Sequence, residues 1–306
     1  MGILDIFKQQ TMPSGRRPPV AVEVAPEGVL AAAIPSPGAA PVVAFAPLAA
    51  GAVVPGISET NLRTPENVTA ALRTALDQVS PRSRSLTLVI PDTAARVFVL
   101  DFDSLPAKAA DVLPVLRFRL RKVVPFEVEH AAMSYQVLSH EKNAVKVLAT
   151  ILPASILAEY EGAVRAAGYE PGAVLPSALA ALAASDGHEA MLTVNLTGTS
   201  LTTAIASGNN LLLYRTLDLP AEREARIAEV QRGVAVASAY YEDRLSARPD
   251  KLHYAGSVDA AEFARAVRET QLAVVELAPL PATGAMTLLG PVGFAGVAGA
   301  LAGAVA

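Results

Sequence analysis

AVEVAPEGV, residues 21–29, decides how the chain is read. Val22, Val24 and Val29 alternate with other residues around a tight turn that carries Pro26. The stretch predicts a strand, a turn and a second strand. One carboxylate, Glu23, interrupts an otherwise apolar first strand. It is either the remnant of a phosphate and metal site or a strand residue facing water.

Outward from this hairpin, short apolar runs punctuated by Pro and Gly predict three strands between Val20 and Val54. Thr64-Pro65-Glu66 predicts a capped helix start, with Val68, Leu72, Ala75 and Val79 at helical spacing. Leu86 to Ile90 is a fully apolar strand. A second unit follows: a strand over Arg96 to Asp103, and a helix over 107–123 whose Leu113, Leu116, Leu120 and Val123 share one face. Strands over 126–138 and 144–151 and a helix from Pro153 to Ala167 complete it, and the block reads as an inserted α+β subdomain. A strand near Tyr169 to Leu175 and a small helix to Ala184 return the chain. MLTVNLTGTSLTTAIASGNNLLLYRTLDL, residues 191–219, reads as three strands with turns at Thr197-Gly198 and Gly208-Asn209. A helix from Pro220 to Leu245 carries the stripe Ile227, Val230, Val234, Ala237, Tyr241 and Leu245. A strand ending in Ala255-Gly256-Ser257, a helix over 258–269, a strand over 272–276 and a final helix close the chain. The pattern is mixed α/β, with two related halves each opened by a β-meander.

Composition narrows the function classes. The 306 residues are 52% hydrophobic, enough for one large or two medium domains with a sizeable core. A net charge of −4 supplies no basic field for nucleic acid. There is no Cys, hence no thiol chemistry or disulfide framework. MGILDIFKQQ is not a secretory signal and reads as a short amphipathic segment or a frayed terminus, followed by a polar, Pro-rich linker over 8–19. Residues 286–306 carry no charge. They are long enough for a tail anchor, but Gly290, Gly293, Gly296 and Gly299 recur every third residue, which suits a helix packed closely on protein. Both readings stand.

No phosphate loop of the Walker type, no G-x-G-x-x-G after a strand, no H-E-x-x-H and no G-x-S-x-G is present. His130, His140, His188 and His253 are not at metal-ligand spacing, and no metal site is expected. RFRLRK, residues 117–122, is either a solvated helix face or a contact for acidic lipid headgroups or a partner. Three weaker signals share one logic. Glu23 sits on the first hairpin, Asn195 to Thr199 form a polar, Gly-bearing second hairpin, and Gly256-Ser257 end a strand. Facing hairpins cradle phosphates through turn N–H groups, and a strand-end Gly lets an adenine ring approach the backbone.

At these residues the chain resembles the PilM family, the actin-like cytoplasmic component of type IV pilus assembly. LTLVIPDTAARVFVLDFDSLP (86–106) resembles the strand that leads into the family's inserted subdomain. LRKVVPFEVEHAAMSYQVL (120–138) is the most specific stretch. RAAGYEPGAVLPSALAAL (165–182), AEVQRGVAVASAYYEDRL (228–245), LHYAGSV (252–258) and VGFAGVAGALAG (292–303) are similar to the family's return strand, long helix, adenosine turn and closing helix. The resemblance implies an actin-like (ribonuclease H-like) two-lobed α/β fold with a nucleotide cleft and a small inserted α+β subdomain. Its parts would be an N-terminal segment (1–19), a first-lobe subdomain (20–91), the insertion (92–168), and the rest of both lobes (169–306).

The resemblance also implies a partner, the cytoplasmic N-terminal peptide of a PilN-like inner-membrane protein, with other pilus platform proteins around it. The cytoplasmic part of the type II secretion protein GspL is a related case. The implied location is the cytoplasm, peripheral to the inner membrane through partners. Pro125 and Phe126 are candidate partner contacts or simply the start of a strand.

Against the family's usual first phosphate hairpin, Gly-x-Asp-x-Gly-Ser, this chain has Ala21-Val22-Glu23-Val24-Ala25-Pro26. Ala25 makes positive φ costly and Pro26 removes an N–H donor. Leu30 stands where the family often has Lys, and Asn195 replaces an acid that would face Mg²⁺. The degenerate nucleotide candidates are therefore Glu23, Asn195, Thr197, Gly198, Thr199, Gly256 and Ser257. Losing one such donor costs about 3 kcal/mol of transition-state stabilisation. The expectation is an adaptor that is not an enzyme and needs no cofactor, with Mg-ATP the one the resemblance leaves open. An active ATPase using Glu23 and Asn195, and a tail-anchored protein, are the alternatives.

Overall fold

The structure, a computed structural model, describes residues 17–185, 189–208, 210–278 and 293–305. The N-terminal segment and most of the linker, His188, Asn209 of the second turn and Gly290 with the start of the uncharged run lie outside them.

β1 (Val20–Ala25) and β2 (Gly28–Ala33) form the hairpin read from AVEVAPEGV. Val24 lies opposite Val29 and Ala25 opposite Gly28, which leaves Pro26 and Glu27 as the turn. Alternation along β1 sends Val20, Val22 and Val24 into one core and Ala21 into another on the opposite face. β3 (Val42–Pro47) pairs with β2 and completes the meander. The loop beyond it is pinned by Asn61, whose side chain bonds Gly56 and Glu59 and accepts from Tyr160.

Helix α1 (Pro65–Val79) buries Val68, Leu72, Ala75 and Val79 on that first core, as their spacing predicts. Thr64 precedes it, but its side chain makes no cap bond; Pro65 at the first helical position already removes one orphan donor. β4 (Ser85–Ile90) runs parallel to β1, and β8 (Glu170–Pro176) parallel to β4. The first sheet has the order β3-β2-β1-β4-β8.

The second half repeats this plan. β9 (Met191–Leu196), β10 (Ser200–Ser207) and β11 (Asn210–Asp218) form an antiparallel meander. β12 (Lys251–Tyr254) and β13 (Ala273–Glu276) add in parallel, giving the order β11-β10-β9-β12-β13. The same order and the same strand senses make the two sheets copies of one architecture.

Between β4 and β8 stand β5 (Arg96–Phe102), β6 (Ala131–Glu141) and β7 (Ala144–Pro153), a separate sheet of order β5-β7-β6. Helix α2 (Ala109–Leu120) covers one face of it. Its buried stripe is Val112, Leu116 and Leu120, continued by Val124. This corrects the expected face: Leu113 is half-buried and Val123 is exposed. The segment from residue 126 is not yet strand. Arg117 donates to the carbonyls of Val128 and Ala131 and holds a 3-10 turn there, Val128–His130, so β6 starts later than expected. The other face of this sheet meets β11 through Val97, Val99, Leu211 and Tyr214. Helix α3 (Ala154–Ala166) packs its Ile156, Tyr160, Ala163 and Val164 on the first core.

Helix α4 (Ser177–Leu182) follows β8. The long helix α5 (Arg223–Leu245) begins three residues later than Pro220 because Glu222 caps it, accepting from the N–H groups of Glu224 and Ala225. It buries Val230, Val234, Ala237 and Tyr241 on the second sheet, whereas Ile227 at its outer end is exposed. α6 (Ala260–Ala266) is shorter than expected and ends in a 3-10 turn. α7 (Ala295–Val305) lies against β1, β2, β4 and α4, with Phe294, Val297, Ala300 and Leu301 buried. Among the described residues no helix is long and apolar enough to cross a membrane.

Candidate functional site: a buried acid cluster between the halves

Glu23 points from β1 to the face covered by α7, the face Ala21 shares. Its carboxylate is enclosed. Ser177, the first residue of α4, donates to Oε1 at 2.6 Å. Oε2 is buried without a partner, and a Cβ built on Gly296 of α7 would lie 2.6 Å from it. Burial, opposed by the Ser177 hydrogen bond and aided by the charges of Asp92 and Glu27, pushes the Glu23 carboxyl up to about 7.

Asp92 is the second acid, placed where β4 ends at Pro91. Four donors converge on it. Oδ1 accepts from the Ala178 N–H and the Tyr214 hydroxyl, each at 2.9 Å. Oδ2 accepts from Thr202 Oγ1 at 2.9 Å and Asn195 Nδ2 at 3.1 Å. Burial raises its carboxyl above the usual carboxylate range, and these four hydrogen bonds oppose the rise without cancelling it. The other amide hydrogen of Asn195 goes to Ser177 Oγ at 3.3 Å. Asn195 thus bridges the two acids through Ser177. A carboxylate at that position would stand beside Asp92 with nothing to donate, so the amide suits this cluster as an acid would not. Burial and the neighbouring Asp92 charge push the Tyr214 hydroxyl well up, which keeps it a donor.

The two hairpins do face each other. Glu27 Oε1 lies 3.5 Å from where a Cβ on Gly198 would sit. The N–H groups of Thr197, Thr199 and Ser200 in the second turn are already used, however. Thr197 Oγ1 accepts from the N–H groups of Thr199 at 3.3 Å and Ser200 at 3.0 Å. In the first turn Pro26 has no N–H, and Glu27's own N–H bonds its carboxylate. Gly256 is crowded by protein: a Cβ there would overlap the Leu196 carbonyl, and one on Gly293 would lie 2.6 Å from the Gly256 carbonyl oxygen. Ser257 N–H bonds Leu196 O at 2.9 Å. Among the described residues no group of three or more acidic or histidine side chains is placed to hold a metal.

Glu23 and Asn195 thus meet at Ser177, Glu23 lies against Gly296 of α7, Gly256 against Gly293 just before it, and Gly198 faces the first hairpin turn. Pro125 and Phe126 lie elsewhere. Pro125 is exposed, and Phe126 lines a groove of about 750 Å³ with Glu127, Glu129, Ala131, Pro153 and Ala154. The groove runs between the start of β6, an edge strand, and the β7–α3 junction. Sequence reasoning missed Asp92, Ser177, Tyr214 and Glu27. The available signal for Asp92 was an acid directly after a fully apolar strand, in IPD.

Two five-stranded sheets of identical order, with a small sheet inserted in the first half, define an actin-like fold. The PilM–PilN type IV pilus biogenesis complex contains a chain with which this one aligns at a TM-score of 0.66 and 16% identity, over 95% of this chain and 99% of that one. The cytoplasmic domain of EpsL, an inner-membrane component of the type II secretion system of Vibrio cholerae, aligns at 0.50 and 12% identity, over 78% and 81%. A Bacteroides thetaiotaomicron protein with an actin-like ATPase fold and unknown function aligns at 0.51 and 11%, over 84% and 90%. No protein-family model and no curated protein matches the sequence.

Proposed function

We propose that this protein is a non-enzymatic adaptor of the PilM kind. It takes an extended peptide, the cytoplasmic N-terminal segment of a PilN-like inner-membrane protein, and so sits at the cytoplasmic face of that membrane within a pilus platform. The observation that carries the reading is the groove beside Phe126, at the free edge of β6, in a chain that matches nearly the whole length of the chain from the PilM–PilN complex. Extended segments add to sheet edges through their backbone and gain specificity from side-chain pockets. The likeness to the EpsL domain favours a second setting for the same role, a type II secretion platform.

The residues between the halves do not fit a magnesium nucleotide. A phosphate between the turns would meet the Glu27 carboxylate in place of N–H donors, and Glu23 is enclosed by Ser177 and Gly296. Without metal and donors nothing positions or stabilises a γ-phosphate for in-line attack.

Calorimetry tests both statements. The N-terminal peptide of the PilN-like protein should bind the wild type, and Phe126→Asp should weaken binding about tenfold or more, as for a central aromatic anchor. Mg-ATP should give no binding heat and no turnover. Failure of the peptide to bind would sink the adaptor reading; micromolar Mg-ATP binding with hydrolysis would restore the ATPase.

A further inference from the structure

We propose that the outer face of α2 and the turn that follows it dock on an anionic lipid surface. Among the described residues, Phe118 and Val123 are the two most exposed large apolar side chains, at 80% and 60%. They stand five residues apart, Phe118 in the last turn of α2 and Val123 in the turn beyond it. That end carries the densest basic run of the chain, Arg117, Arg119, Arg121 and Lys122, and no acid occurs between Asp111 and Glu127. Local charge is therefore opposite to the net −4 of the whole protein.

The helix cannot rotate to hide these groups. Val112, Leu116 and Leu120 are buried on the inserted sheet, and at 100° per residue Phe118 falls on the opposite side. Arg117 bonds the Val128 and Ala131 carbonyls and ties the helix end down. Arg119 and Lys122 are exposed and make no ion pair with any described residue. Arg121 reaches Glu129 at 3.5 Å with both side chains more than half exposed, a pairing weak enough to yield to a phosphodiester. Glu127, 3.7 Å from His130, and Glu129 lie beyond Pro125 along the peptide groove.

A protruding aromatic flanked by two cations without ion pairs, Arg119 and Lys122, needs no complementary pocket on a bilayer. The ring and the valine enter the headgroup boundary while the cations reach the phosphates. An acidic protein without a pocket for the ring would satisfy the cations and leave Phe118 in water. The inference is independent of the peptide groove and adds a direct membrane contact to one made through a partner.

Vesicle sedimentation of the full chain tests it. The protein should pellet with phosphatidylglycerol-containing vesicles and not with pure phosphatidylcholine, and release at high salt. Arg119→Ala and Lys122→Ala should each weaken binding about fivefold. Phe118→Ser should weaken it about tenfold. All three residues are exposed, so thermal melting should be unchanged. No pelleting, equal pelleting on both lipids, or variants that bind like the wild type would overturn the proposal, as would capture by an acidic protein with no vesicle binding.

Discussion

A carboxylate cut off from solvent must be neutral or be met by donors, and the two central acids, both pushed up by burial, differ in how many donors meet them. Asp92 receives four hydrogen bonds, which oppose the upward push of burial on its carboxyl without cancelling it. Glu23 receives one, and its second oxygen has none. Its folded value of about 7 lies above that of an exposed glutamate. Below about pH 4 both folded and unfolded chains hold the proton, and the acid costs nothing. Between the two values the folded chain binds more protons, so stability falls as pH rises toward 7. The full effect is at most about 3 kcal/mol, reached above pH 7. Glu23→Gln, which keeps the shape without the charge, should therefore raise the urea midpoint at pH 8 and leave it nearly unchanged at pH 4.5. A midpoint lowered equally at both values would show that Glu23 is held as a charged partner instead.

At the scale of elements, α7 is fitted by what its glycines lack. A Cβ on Gly299 would overlap the Ala180 carbonyl oxygen and lie 2.8 Å from its carbon, so backbone rather than a movable side chain is in the way. Gly299→Ala should destabilise by about 2–3 kcal/mol through overpacking, despite the better helix propensity of Ala. Gly162 in α3 has nothing within 4 Å of its Cβ position, and Gly162→Ala should stabilise by up to about 1 kcal/mol. Paired thermal melts read the opposite signs. The glycine period in VGFAGVAGALAG was legible as close packing on protein beside the competing tail anchor, because small side chains at that spacing let backbones approach. The face of α2 was not. Val112, Leu113, Val115 and Leu116 are consecutive or near-consecutive apolar residues, and periodicity alone allows two stripes. The sheet that arbitrates between them has only β5 before the helix and is completed by β6 and β7, later in the chain.

At the scale of the molecule, the meander followed by parallel strands appears twice, and each copy is local enough to be read from alternation and turn residues. The junction between copies is not local. Asp92 belongs to the first half; Asn195, Thr202 and Tyr214 belong to the second and lie 103, 110 and 122 residues away. Nothing in a strand pattern announces which polar residue two strands will share, so the hairpin acid Glu23 was visible and the joining acid was not. Asp92 is a polar joint between the halves, beside the apolar cluster that also spans them. Removing it leaves three side-chain donors and the Ala178 N–H buried without an acceptor, each costing about 1–3 kcal/mol if unrelieved. Asp92→Ala should lower the melting temperature and split the calorimetric transition into two, as the halves lose the bonds that couple their unfolding. Tyr214→Phe removes one of four donors and should cost about 1 kcal/mol while keeping a single transition. If Asp92→Ala melts as one cooperative unit at the wild-type temperature, apolar packing such as that of Val97 and Val99 on Leu211 joins the halves and the acid is dispensable to their union.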